Sequence, residues 1–466
     1  MTKFLAAAFL AAVALPALAQ TAAAPAPVDL AALERVRPLR EAALTDDYAW
    51  DFTEDLTTEV GPRPAGTAAE ARGRDWAVRR LRAMDFANVR VEPFTMPVWV
   101  RGAESASITA PYPQPLVLAA LGNSASTAPQ GLEAEVVGFA SVEALRAAPA
   151  GQVRGKIVYI THAMPRTQDG SGYGAFGAAR RQGPTVASQK GAAAIVIRSI
   201  GTDWHRNPHT GVQTFGEGAQ PIPAAALANP DADQLDRILQ RSRQPVRMRL
   251  TLLSRTLPNQ ASGNVIAEVP GRDRAAPPIL VSCHLDSWDQ GTGAIDDAAG
   301  CGIVTAAAKR IMDAGRPLRP IRIVFFGAEE VGLFGGLDYR AKWGKTPHYA
   351  IAESDFGADR IWKVDSRLGA DRAVEARLLQ KALEPLGIAP GSLNEANGSD
   401  IGPMLADGLP GIGLSQDGTR YFDLHHTPDD TLDKIDKAQL RQNVAAWTTM
   451  LAVLSGGIEQ PRGKRR

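Results

Sequence analysis

The chain has 466 residues, of which 45% are hydrophobic and 22% charged, and its formal net charge is +1. That length is too great for one hydrophobic core and suits two domains with additional segments. The near-zero charge excludes a strongly basic nucleic-acid binder and gives no reason to expect a membrane-surface partner.

In chain order, "MTKFLAAAFLAAVALPALAQ" places Lys3, a short apolar run and Ala17-Leu18-Ala19 ahead of Gln20. Small residues at the first and third positions of that triplet suit signal peptidase, and the run is too short for a stable membrane anchor. Residues 1–19 therefore read as a cleaved signal, with a membrane tether as the alternative, and the product is expected in a periplasm or secreted. The spacing of Ala71, Trp76, Val78, Leu81 and Met84 predicts a helix over 67–86, and "NVRVEPF" alternates as a strand. Between 105 and 255 short strand-like runs ("IVYITHA", "AAAIVIRSI", "VRMRLTLL") are separated by glycine-rich loops. This stretch reads as a β-rich module inserted into a larger domain made of 20–104 and 256–458.

Beyond residue 262 strands and helices alternate regularly. "NVIAEV", "PILVSC", "IRIVFF" and "HYAIAESD" read as strands, and helices are predicted over 298–314, 334–343 and 374–386. Strands that are apolar throughout predict an α/β fold: a mostly parallel, mixed sheet sandwiched by helices. The segment 459–466, with its basic "PRGKRR", reads as a disordered tail. The two cysteines, Cys283 and Cys301, read as separate buried thiols, one at a strand end and one in the next helix; a disulfide is the alternative.

Acidic and histidine residues gather where these strands end. "CHLDSWDQGTGAIDD" supplies His284, Asp286, Asp289, Asp296 and Asp297; Glu329-Glu330 follow "IRIVFF"; Asp355 ends "HYAIAESD"; His426 lies in "DLHHTPDD". The carboxyl ends of strands are where open α/β sheets carry their sites. Taken singly, each group has an ordinary structural reading: Asp286 as a turn acceptor, Asp296-Asp297 as a helix cap, the glutamates at a helix start. Their convergence on one sheet edge points to a metal site. No Gly-x-Ser-x-Gly and no His-Glu-x-x-His occurs, and in "GTGAID" an aspartate stands where a dinucleotide turn needs its third glycine.

"HLDS", "DDAAG", "AEE", "ESD" and "HHTPDDT" together resemble the co-catalytic dizinc exopeptidases, the glutamate carboxypeptidases most of all, from about residue 50 to 455. Cys283 departs from that pattern, which has glycine before the histidine. The resemblance implies a peptide substrate and two Zn²⁺ per chain. Asp296 would bridge the ions, His284 and Asp355 completing one set, Glu330 and His426 the other. Glu329 would be the general base acting on a metal-bridging hydroxide, and Asp286 would hold the imidazole of His284. A cis peptide between Asp296 and Asp297, a homodimer and a protease-associated domain over 105–255 are implied in the same way. For the substrate terminus, Arg420 and Tyr421 are candidates because they closely precede His426, although a solvated Arg420 is equally expected. His162, His205, His209, His348 and His425 take structural roles. The expected activity is hydrolysis of dipeptides or short peptides; the alternatives are a plain zinc aminopeptidase, a single-zinc glutaminyl cyclase and a non-enzymatic receptor-like homologue.

Overall fold

The computed structural model describes residues 29–459. The signal reading of 1–19 lies outside them, as does the tail reading except for Glu459, which pairs with Arg316 in a two-residue strand. No helix among the described residues is long and apolar enough to cross a membrane.

Two eight-stranded sheets organise the chain. In the first, the strands Ile321–Phe326, Ile279–His284, Ala350–Glu353 and Gly411–Gln416 lie side by side and run parallel. Antiparallel pairs flank them on both sides, and one short parallel pair, Ile361–Arg367 with Ala389–Pro390, closes the far edge, so the sheet is mixed. Side chains alternate across it. Val281, Cys283, Ile323 and Phe325 enter one apolar cluster, and Leu280, Val324 and Phe326 enter another on the opposite face. Both faces are covered, which is why these strands are apolar without interruption. The helices Leu30–Ala43, Tyr48–Glu59, Ala299–Ala314 and Lys437–Leu454 pack on the first face; Phe334–Trp343 and Gly402–Ala406 cover the second.

The helices predicted over 67–86, 298–314, 334–343 and 374–386 form over Ala68–Ala83, Ala299–Ala314, Phe334–Trp343 and Ala373–Leu383. The second sheet is built wholly from strands between Glu104 and Leu252. It is reached by a long antiparallel ribbon, Ala87–Val100 against Arg255–Val269, that leaves the edge of the first sheet.

The reading of two separate thiols is corrected. Cys283 and Cys301 form a disulfide. The helix that starts at Ala299 returns over the end of the 279–284 strand, bringing the two Cα atoms within 5.1 Å, and only that packing supplies bridgeable geometry. The bridge closes the loop that carries His284, Asp286, Asp296 and Asp297.

Candidate metal centre

Four parallel strands deliver the chemistry. His284 ends the 279–284 strand; Glu329 and Glu330 follow the 321–326 strand; Asp355 lies two residues beyond Glu353; and His426 follows the short helix Tyr421–Leu424 that succeeds Gly411–Gln416. Asp296 and Asp297 occupy the turn Ala294–Ala298, both with non-helical backbone angles, and their peptide bond is cis. Asp297 faces away from the cluster. Its carboxylate accepts the N–H of Gly300 at the helix start and that of His284, both at 3.1 Å.

Asp296 stands between two groups of side chains. Its Oδ1 lies 3.0 Å from His284 Nε2, which is 3.3 Å from Asp355 Oδ1. Its Oδ2 lies 3.3 Å from His426 Nε2, which is 2.6 Å from Glu330 Oε2. Tetrahedral zinc with bonds of about 2.0–2.1 Å separates neighbouring donor atoms by about 3.3 Å. Three of these four distances come close to that value. Asp296 Oδ2 and both carboxylate oxygens of Glu330 are buried without a hydrogen-bond partner. Buried anionic oxygens left unpaired are strongly unfavourable unless a cation meets them. The carboxylates of Asp355, Asp286 and Asp296 hold the His284 imidazole well above its usual range although burial works against its charge. Burial, then the Asp355 carboxylate, pushes the Glu329 carboxyl well up. Both directions report one excess of negative charge. The donor set of two imidazoles and three carboxylates suits zinc.

Asp286 works through other atoms than expected. The Nδ1–H of His284 donates to its main-chain carbonyl at 3.0 Å, while its carboxylate oxygen is 3.7 Å away. That carboxylate instead accepts the N–H groups of Glu329 and Glu330 at 3.1 and 3.3 Å. Asp286 thus aims the glutamate pair and fixes the tautomer of His284 by its backbone.

Arg420 is corrected. Asp359 takes its guanidinium in two hydrogen bonds of 2.6 Å and the carbonyl of Lys434 takes a third, so it is spent on the loop and does not line the cleft. Tyr421 does line it, buried and stacked on Phe356 at 4.4 Å. Among the described residues, the Lys or Arg side chain that lines the cleft is Arg180, from the second-sheet region. It is 6% exposed, its Nη1 donates to the Thr210 carbonyl at 2.8 Å, and its Nε has no partner. The cleft they share with Glu329, Asp296 and His426 has a volume of about 300 Å³.

His209 and His425 pack against the centre. His425 Nε2 approaches Asp296 Oδ2 at 3.1 Å; burial, then His426, pushes its imidazole down to about 3. His209 donates Nδ1–H to the His425 carbonyl at 2.8 Å and stacks on His426. His426 itself, at φ 58, is left-handed, a region uncommon for residues with a Cβ. Three contacts hold it there: its Nδ1 donates to the Thr210 carbonyl at 3.2 Å, Trp288 stacks on it, and Trp288 Nε1 donates to Thr210 Oγ1. The segment "HTG" at 209–211 could not be placed from sequence, because it lies 216 residues from the ligand it supports. A Cβ on Gly211 would fall 1.8 Å from Arg180 Nη1 and 2.9 Å from His426 Nδ1. Gly211→Ala is therefore expected to lower metal retention and turnover together while leaving the circular dichroism spectrum native. Full metal retention in that variant would refute the support assigned to this segment.

A carboxylate shared between two candidate metal-binding groups at the carboxyl edge of a mixed sheet suits a metallo-exopeptidase. The sequence agrees: the model of Peptidase family M28 matches residues 264–451. Carboxypeptidase Q of Bos taurus is 34% identical over 408 residues, covering 86% of this chain and 84% of that one; the Homo sapiens protein is 32% identical over 407. The crystal structure of a Peptidase M28 precursor from Shewanella amazonensis superposes with a TM-score of 0.89 at 44% identity, over 93% of this chain and 98% of that chain. A zinc aminopeptidase from Bacillus subtilis shares the fold at 21% identity and a TM-score of 0.62, over 87% and 94%. The chain belongs to peptidase family M28.

Proposed function

We propose that this protein is a dizinc exopeptidase that hydrolyses unblocked dipeptides or short peptides, with His284, Asp296 and Asp355 holding one ion and Asp296, Glu330 and His426 the other. The observation that carries it is the position of Asp296, one oxygen toward each ligand set, with Glu329 beside both and in neither. When bound, the ions polarise the scissile carbonyl and acidify water. A carboxylate oxygen of Glu329, aimed by the Asp286 contact to its N–H, takes the proton of the attacking water and returns it to the departing amine nitrogen. Tyr421 and Phe356 form an apolar wall of the cleft. Arg180 answers the substrate α-carboxylate, because a buried carboxylate needs a charge-assisted partner and Arg180 is the cation facing it. The second sheet, with its helices, serves as a protease-associated module whose catalytic contribution is this arginine and the 209–211 support. The disulfide suits an oxidising compartment, in keeping with a secreted or periplasmic protein.

Metal analysis of the purified protein is expected to give about two zinc per chain, and metal-free preparations are expected to be inactive. A dipeptide, its C-terminal amide and a longer peptide with the same start are then compared. The dipeptide should be cleaved most efficiently, and Arg180→Met should erase its lead over the amide. Equal cleavage of all three by the unaltered protein would make it a plain aminopeptidase. Absence of bound metal and of any cleavage would end the reading altogether.

A further inference from the structure

A second cavity, of about 630 Å³, opens beside the metal centre and shares Asp355, Phe356 and Ser399 with the catalytic cleft. Its titratable lining is one-sided. Asp169, Glu353, Asp365 and Glu395 line it in addition to Asp355, against Lys363 alone among the described residues. Lys363 is already committed: its ammonium lies 2.9 Å from Asp365 Oδ2 and 5.3 Å from the Trp362 ring centre. With Asp355 set aside as a candidate metal ligand beside His284, that leaves Asp169, Glu353 and Glu395 without a cation among the described residues. The deepest is Glu353, 7% exposed, whose Oε2 accepts only a long 3.4 Å bond from the Ile401 N–H and whose Oε1 is buried with no partner. Glu395 stands exposed at the mouth. Phe356 and Trp362 add aromatic surface to the same lining. A buried and an exposed acidic group in one aromatic-lined cavity match a long aliphatic stem that ends in a positive charge.

We propose that this cavity is a specificity pocket for a lysine or arginine side chain next to the scissile bond, so that basic short peptides are the favoured substrates. The inference rests on the peptidase reading above and narrows its substrate class. A cationic side chain entering from the shared Asp355–Phe356 edge passes the aromatic rings and places its charge against Glu353, with Glu395 attracting it at the entrance. An uncharged stem of the same length leaves Glu353 Oε1 without a partner, and a site built around a buried polar group discriminates strongly against such an analogue.

The test measures kcat/KM for Lys-Ala and Ala-Lys beside their norleucine and glutamate counterparts. In one of the two orders lysine should exceed norleucine by about tenfold or more, with glutamate lowest. Glu353→Gln and Glu395→Gln should each shrink the lysine-to-norleucine ratio within the same variant. Because Glu353 is buried and close to Asp355, the exposed Glu395→Gln variant carries the test if Glu353→Gln does not fold. Calorimetric binding of free lysine against norleucine reads the same pocket without turnover, so even a preparation that cleaves nothing decides the question. Lysine and norleucine handled equally in both orders and in binding, or a lysine preference that both variants retain in full, would overturn the proposal. Cleavage of leucine peptides without any lysine preference would sink this pocket and leave the peptidase reading standing.

Discussion

Glu329→Gln is expected to retain metal and lose turnover by about 10²–10⁴-fold, whereas Glu330→Gln is expected to lose metal. Two neighbouring residues of the same type are expected to fail differently because their surroundings differ. The Glu330 carboxylate is 2.6 Å from His426 Nε2 and both its oxygens are buried without hydrogen bonds, which is the condition of a ligand. Glu329 belongs to neither ligand set, so its amide analogue keeps size and backbone contact yet cannot accept a proton. The loss expected for a missing general base is about 10²–10⁴-fold. Metal content after dialysis and kcat for one dipeptide, measured on both variants, make the distinction. Retained metal and activity in Glu330→Gln, or metal loss confined to Glu329→Gln, would reverse the roles.

Arg63 is expected to matter as much for stability as Glu329 does for turnover. It is 0% exposed, and its guanidinium donates to the carbonyls of Leu285, Thr292 and Gly293, tying both ends of the loop between the His284 strand and the Asp296 turn. It is also the cation beneath the acidic cluster: burial depresses its pKa, and Asp430, Asp286, Asp297 and Asp296 oppose that effect. Removing one member of a buried charged arrangement costs about 3–5 kcal/mol. Arg63→Met should lower the unfolding free energy by that order, and metal retention should weaken with it. Arg63→Lys should recover little, since a single ammonium cannot reproduce the planar fork that serves three carbonyls. A denaturant midpoint shifted by less than the equivalent of about 1 kcal/mol in Arg63→Met would show that the loop is held by other contacts.

The gathering of His284, Asp296, Glu329, Glu330, Asp355 and His426 at one sheet edge was legible because strand ends announce themselves locally. An apolar run that stops at His284, Glu329 or Asp355 marks both the strand and its terminus, and a chain of alternating strands and helices puts such termini on one edge. The missed strand Ile361–Arg367, "IWKVDSR", is mixed in polarity because it lies toward the sheet edge, where Trp362, Lys363 and Arg367 stay partly exposed. The helix Leu30–Ala43 contains Pro38, which weakens a helical pattern in sequence, and it holds because it packs on Lys437–Leu454 at the far end of the chain.

Arg420 and Arg180 mark the boundary between the two kinds of information. Proximity in sequence to His426 favoured Arg420, but Asp359, from another loop, takes its charge in two hydrogen bonds. Arg180 is 246 positions before His426 and comes from the second-sheet region, yet it lines the same cleft. The sequence by itself determined the family resemblance, the alternation that builds the main sheet, and the residue types able to hold two metal ions, because each is encoded within a short run of neighbours. The tertiary structure alone decided the partner of every charge, the pairing of Cys283 with Cys301, the support of His426 by Thr210, and the acidic cavity around Glu353. Those depend on which side chains from distant segments arrive within about 3 Å of one another, and hydrogen bonding and desolvation act only at that range.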